Sequence, residues 1–213
     1  MTLDAPAAPR PKRNRTQTKA RLREAVEALL VEGGFGALTP SAVAKKAGVD
    51  KMLIYRYFND LPGLVRSIAF APDFFPSFET IVGDDIDALR ALPLGRRAAV
   101  VLQRNTEALM ANPVVLELMV WELVERNELT AIMEEAREEL GLRLMAEVFA
   151  DVEDRVRLAA ISAVLAGGTG YLALRARKIH WVSGVDLKSD EGWKSIHAAV
   201  EAMASSAAAP LPS

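Results

Sequence analysis

Few side chains in this sequence are equipped for covalent or metal chemistry. Cysteine is absent, and the two histidines are His180 and His197. A carboxylate-bridged metal centre in a helical protein wants Glu-x-x-His pairs, yet Arg177 and Lys194 stand three residues before these histidines. The glycine-rich GGTG at 167–170 lacks the preceding strand and following Lys/Ser pair of a phosphate-binding loop. Glu134, Glu135, Glu138 and Glu139, with Arg137 and Arg143 nearby, read as a solvated helix face laced by charge pairs. No nucleophile, base and orienting acid can be assembled, so no catalytic residue, metal or cofactor is expected. The chemistry that remains is that of charge. Residues 1–59 hold 11 Lys/Arg against 5 Asp/Glu, a balance of +6, which leaves −8 for the rest of a chain of net charge −2. A basic segment suits a polyanion, because each phosphate it neutralises releases condensed counterions. The acidic remainder calls for a different partner.

The elements that would position the basic residues are legible from spacing. Between Thr16 and Glu32, Leu22, Val26, Leu29 and Leu30 recur at helical intervals, and Gly33 and Gly34 stop the pattern as a helix C-cap does. Thr39 before Pro40 predicts a second helix start, a capping oxygen followed by a residue pre-organised for the first turn. That helix runs to about Ala47. Gly48 supplies the left-handed turn residue, Val49 plugs the core beneath it, and Asp50 caps a third helix over Lys51 to Phe58. Ile54 and Phe58 are expected inside, with Lys51, Met52, Tyr55 and Arg56 pointing elsewhere. Two short helices about a four-residue turn make a helix-turn-helix.

The segment TPSAVAKKAGVDKMLIYRYFNDLPGLV resembles the DNA-binding signature of the tetracycline-repressor (TetR) family of bacterial transcriptional regulators. The matching residues are Thr39, Val43, Ala44, Ala47, Gly48, Val49, Ile54, Tyr55, Phe58 and Leu64. Two positions depart from the family pattern: Met52 replaces a small glycine, and Leu61 replaces a phosphate-binding lysine. The resemblance implies that the third helix enters the major groove of double-stranded DNA, whose edges distinguish all four base pairs. Lys51 and Arg56 would then donate to guanine, Met52 would touch a thymine methyl, and Tyr55 and Tyr57 would reach phosphate or a base edge. Thr39, at a helix N-terminus, suits a phosphate, with Lys45 and Lys46 more peripheral. Arg10, Lys12, Arg13 and Arg15 lie on a segment that could drop into the minor groove, or simply remain a solvated tail. Plainer roles also exist for single residues: Tyr55 or Tyr57 as packing aromatics, Lys51 as surface charge.

Beyond Leu64 helical periodicity continues, broken at 71–83, 93–95, 112–113 and 183–184 by proline, glycine, asparagine and serine. No alternating strand pattern is visible. Helices are predicted near 60–70, 96–111, 113–127, 129–150, 152–179 and 189–205, in a mostly antiparallel bundle. PVVLELMVWELVE, from Pro113, is apolar nearly all round and predicts a central helix. Its Glu117 and Glu122 must reach the surface, pair with a cation or face a cavity. The resemblance implies a largely apolar small-molecule pocket in this bundle, with Met110, Met119, Trp121 and Phe149 as candidate linings beside Glu117 and Glu122. These could equally be plain core. From Leu158 to Leu174 the chain is uncharged for 17 residues, three of them glycine, short of the roughly 20 that a membrane span requires. There Ala163, Ala166, Gly167 and Gly170 fall three or four apart, and such weak helix formers need a packing reason. By resemblance, this helix with Tyr171 and the last helix around Trp193 forms a homodimer seam; core packing within one subunit is the alternative.

The expected molecule is thus all-α. Residues 1–15 form a flexible basic arm, 16–62 a helix-turn-helix domain, 63–206 a helical ligand-binding and dimerisation domain, and 207–213 a disordered tail. With no cysteine for a disulfide, and no apolar run in the first fifteen residues for a secretory signal, a cytoplasmic location away from membranes is expected. The expected function is that of a homodimeric repressor released by a small apolar effector. Its rival is a helical interaction module or small-molecule binder that has lost specific DNA binding.

Overall fold

The computed structural model describes residues 12–207. Residues 1–11 of the arm expected over 1–15 and residues 208–213 of the tail expected over 207–213 lie outside the described residues, as does the side chain of Arg13. The described residues contain eleven α-helices and one two-stranded hairpin, and they cluster into two compact units that meet in sequence at Ile68/Ala69.

The first unit begins with α1, Lys12–Gly33, four residues earlier than the spacing of apolar residues predicts. Residues 12–15 are included in this helix. Leu22, Val26 and Leu30 of α1 are fully buried, a stripe at i, i+4 and i+8, while Leu29 is half-buried. A short 3₁₀ turn at Phe35–Ala37 leads to α2, Pro40–Ala47. Thr39 Oγ1 accepts from the Ala42 N–H at 3.1 Å, and Gly48 closes α2 in the left-handed region at φ 61°. Helix α3 spans Met52–Phe58 and α4 spans Leu61–Ala69. Ile54, Val43, Leu64, Val65 and Ile68 complete the core of this unit.

In the second unit, α5 at Phe78–Val82 falls within the break expected over 71–83, and α6 at Ile86–Arg90 lies where no helix is predicted. Side-chain caps explain them: Ser77 accepts from Thr80 N–H and Asp85 from Ala88 N–H, which supports even one-turn helices. The longer helices are α7 (Leu94–Met110), α8 (Pro113–Glu122), α9 (Glu128–Glu147) and α10 (Arg155–Ala176). Helix α8 stops five residues short of its predicted end because Asn127 opens α9 with a capping box to Thr130. After α10 the chain forms a hairpin, β1 (Trp181–Val182) paired antiparallel with β2 (Val185–Asp186). Ser183 and Gly184 both take positive φ, 49° and 83°, the geometry of a two-residue hairpin turn; strands this short leave no alternating pattern in the sequence. The last helix, α11, runs from Asp190 to Ala207.

Helix α7 is the axis of this unit, and the core joins its Ala98, Ala99, Val101 and Leu102 to Ile81, Val148, Phe149, Leu158, Leu165 and Val200. Its backbone meets α11 closely, since a Cβ on Gly95 would stand 2.6 Å from Ser205 Cα. By length and composition α10 could cross a membrane. Its Leu158, Leu165, Thr169, Ala173 and Ala176 are buried against the unit.

Candidate nucleic-acid interface and interior cavity

In the first unit, the turn that presents α3 is held by backbone and side-chain bonds. Val49 N–H donates to Ala44 carbonyl at 3.0 Å, and Arg21 of α1 donates to Gly48 carbonyl at 3.2 Å. Asp50 Oδ1 accepts from Met52 N–H at 2.8 Å and so caps α3. With Ile54 fully buried, the opposite face carries Lys51, Met52, Tyr55 and Arg56, all exposed, Met52 at 62% and Tyr55 at 43%. Positions i, i+3 and i+4 share one side of a helix, so Met52, Tyr55 and Arg56 form a single surface with Lys51 at its N-terminal end. The side chains of Lys51, Tyr55 and Arg56 have no hydrogen-bond or ion-pair partner among the described residues. Tyr57 differs: it is half-buried, and the Arg15 guanidinium lies 5.3 Å from its ring centroid. Phe58, expected in the core, is only half-buried and packs beneath Lys19 Nζ at 5.0 Å.

The junction of α3 and α4 is tight. Asn59 takes φ 76°, Asp60 Oδ1 accepts from Gly63 N–H at 2.7 Å, and a Cβ on Gly63 would stand 2.0 Å from the Phe58 carbonyl oxygen. Leu61 is 8% exposed, so this position contributes to packing and offers no cation.

The second unit encloses a cavity of about 380 Å³ among α7, α9 and α10, within the size range of small-molecule sites. Its walls are chiefly apolar, including Leu102, Met119, Leu144, Phe149 and Ile161, with Asn105, Arg137, Asp154, Arg157 and Ser162 as the polar groups. Arg137 donates from both terminal nitrogens to both oxygens of Glu122, at 2.9 and 2.5 Å. Burial pushes the Glu122 carboxyl above the usual glutamate range, against the pull of Arg137.

Residues 22–68 match the bacterial regulatory proteins of the tetR family. The family match is thus confined to the first unit. Solved structures of TetR regulators share its fold. One from Marinobacter aquaeolei VT8 is 13% identical, with a TM-score of 0.59 over 91% of this chain and 98% of the other. NalD, the secondary repressor of the MexAB-OprM multidrug efflux pump in Pseudomonas aeruginosa, is 19% identical, with a TM-score of 0.59 over 87% and 96%. The fatty acid degradation regulator FadR from Bacillus halodurans is 18% identical, with a TM-score of 0.55 over 85% and 97%. No curated protein matches the chain in sequence.

The ligand candidates read from the sequence separate sharply by their position relative to the cavity. Met119 and Phe149 line it. Glu122 reaches it through Arg137, whereas Glu117 pairs with Arg177 of α10. Met110 is half-buried and does not line the cavity; neither does Trp121, whose Nε1–H is buried without a partner. Of the seam candidates, Ala163, Gly167 and Tyr171 are exposed on α10, while Ala166 and Gly170 turn toward the cavity. Trp193 is anchored within its own unit, its Nε1–H donating to Leu187 carbonyl at 3.0 Å. Sequence reasoning missed Asn105 and Ser162, which carry no motif, and placed Arg137 on a solvated face. Its acidic neighbours suggested that assignment, but Glu134 pairs with Arg126 instead. Among the described residues no group of three or more histidines and carboxylates could hold a metal ion.

Thr39→Ala removes the α2 cap, so the first unit should lose about 1 kcal/mol of stability, read as an earlier unfolding midpoint. Thr39→Ser should restore it. If the threonine hydroxyl also meets a phosphate, the alanine variant should weaken binding to all duplexes alike.

Proposed function

We propose that the protein is a homodimeric transcriptional repressor that reads double-stranded DNA with α3 and is released by a small, largely apolar effector held in the cavity. The observation that carries the reading is the exposed, unpartnered set of Lys51, Tyr55 and Arg56 with Met52, on a helix locked from behind by Ile54 and capped by Asp50. Solvated cations and a tyrosine hydroxyl on one face are what major-groove readout needs, and Arg15 and Thr39 add donors for phosphate. Tyr57 has a smaller part here, since its ring is already covered.

Dimerisation is supported by the outer side of α10. Val156 is 84% exposed and Val164 74%, and Ala160, Ala163, Gly167 and Tyr171 continue that side at helical spacing. A Cβ on Gly167 or Gly168 would meet nothing, so packing within this chain does not explain these glycines. A second copy docking its own α10, with Ala199 and Met203 of α11 beside it, would explain both the glycines and the bare valines. Two copies give the paired recognition helices that a palindromic site demands. Release then requires only that the effector bind the DNA-incompetent state more tightly. A cytoplasmic setting away from membranes follows from this role.

Fluorescence-anisotropy titration of the duplex upstream of the protein's own gene tests the reading. Binding should be much tighter than to a scrambled duplex and should fall steeply with salt as counterion release dictates. Equal, weak binding to every duplex would instead favour the interaction module that has lost DNA affinity, a reading for which buried Leu61 is the specific support.

A further inference from the structure

The polar groups of the cavity differ in how fully they are already satisfied. Arg137 is matched by Glu122 through two hydrogen bonds, the Glu122 side chain is only 7% exposed, and the guanidinium also lies 5.5 Å from the Phe75 ring centroid. Asp154 and Arg157, the other charged lining residues, carry opposite charges. Counting Glu122, which stands behind Arg137, these four charges sum to zero. Asn105 and Ser162, by contrast, are half-buried lining residues whose side chains have no hydrogen-bond partner among the described residues.

We infer that the cavity selects uncharged amphiphiles, molecules with an apolar body and a neutral hydrogen-bonding head such as an amide or hydroxyl, and rejects the carboxylate of the same chain length. This inference rests on the cavity being the effector site. A buried carboxylate needs a cation of its own. Of the two cations at the wall, Arg157 is already engaged in an interaction of its own and Arg137 is held by Glu122, so an incoming anion at Arg137 would sit beside a second carboxylate on the same guanidinium and face like-charge repulsion. A neutral head meets no such penalty, and the free amide of Asn105 and hydroxyl of Ser162 can donate to it and accept from it. The apolar body then fills the space between Leu144, Phe149 and Ile161, which excludes water and rewards burial in proportion to area.

Isothermal titration of the full chain with decanamide and with decanoate decides the matter, using the wild type, Glu122→Gln and Asn105→Ala. The wild type should prefer decanamide by a factor on the order of 100. Glu122→Gln should leave decanamide binding nearly unchanged and strengthen decanoate binding by about tenfold or more, because Arg137 then lacks a matching charge. Asn105→Ala should weaken decanamide by about tenfold and leave decanoate where it was, which also places the probe in the cavity. A wild type that binds decanoate as tightly as decanamide overturns the charge selectivity while leaving the cavity a ligand site, as does a folded Glu122→Gln with no gain for decanoate. Binding of neither probe to any of the three proteins overturns the cavity as effector site, and the selectivity with it.

Discussion

Alanine at both Lys51 and Arg56 should lower affinity for the specific DNA site about 1,000-fold and leave the folded protein intact. Each cation that pairs two-pronged with a guanine is worth about 1–3 kcal/mol of discrimination, and about 4 kcal/mol for the pair corresponds to three decades. Neither side chain has a partner within the described residues, so the melting temperature should stay within about 1 °C of wild type, as for surface changes generally. The salt titration separates two modes of contact. If the cations read bases, the preference for the specific duplex collapses while the salt slope barely changes. If they hold phosphates, affinity for specific and scrambled duplexes falls together and the slope drops by about one for each cation. A double variant that binds as well as wild type would remove α3 from the reading role altogether.

Arg97→Ala should destabilise the second unit by about 3 kcal/mol, or roughly 10 °C in melting temperature. The Arg97 side chain is 5% exposed. It donates to the Val148 carbonyl at 3.0 Å, to the Leu92 carbonyl at 3.3 Å and to both oxygens of Asp151 at 2.5 and 3.0 Å. Its loss strands buried carbonyls and removes packing from Phe149, whose ring centroid lies 5.7 Å away. The neighbouring Arg96 provides the contrast. Its pair with Glu201 is 51% and 37% exposed, and solvent leaves such a contact worth less than about 1 kcal/mol, so Arg96→Ala should be nearly silent in the same melt. The pH dependence has a definite sign. Hydrogen bonding to Arg97 holds the Asp151 carboxyl below its ordinary range. That contribution is therefore present above the usual aspartate pKa and disappears as pH falls through the lowered value. Arg97→Ala should flatten this acid limb, by a small amount because Asp151 is 63% exposed. An Arg97→Ala protein that melts with the wild type would show that its buried bonds carry no net stability.

By itself the sequence determined the local machinery of the first unit. Thr39–Pro40, Gly48 and Asp50 are capping and turn residues whose effect depends on atoms two to four positions away, so their roles are visible from spacing alone. The caps form as expected, and Lys51, Met52, Tyr55 and Arg56 face outward because Ile54, on the same short helix, is held inside. The all-α class was legible for the same reason, since helical periodicity is a local property. The family match falls on this same stretch, residues 22–68.

Only the tertiary structure decided which side chains share the cavity. Met119 and Phe149 reach it while Met110 and Trp121, equally apolar, do not. A helix that is apolar all round, as α8 is, gives no periodic sign of which face meets which neighbour. The partners of Glu117 and Glu122 are likewise set by pairs 60 and 15 residues apart. Arg137 turns inward because a buried carboxylate cannot remain unpaired, a demand that exists only once α8 and α9 have packed. The split of α10 into a cavity-facing edge at Ala166 and Gly170 and a bare edge at Val164 and Gly167 has the same origin. Spacing defines the two edges, but which of them is covered depends on where the other helices pack.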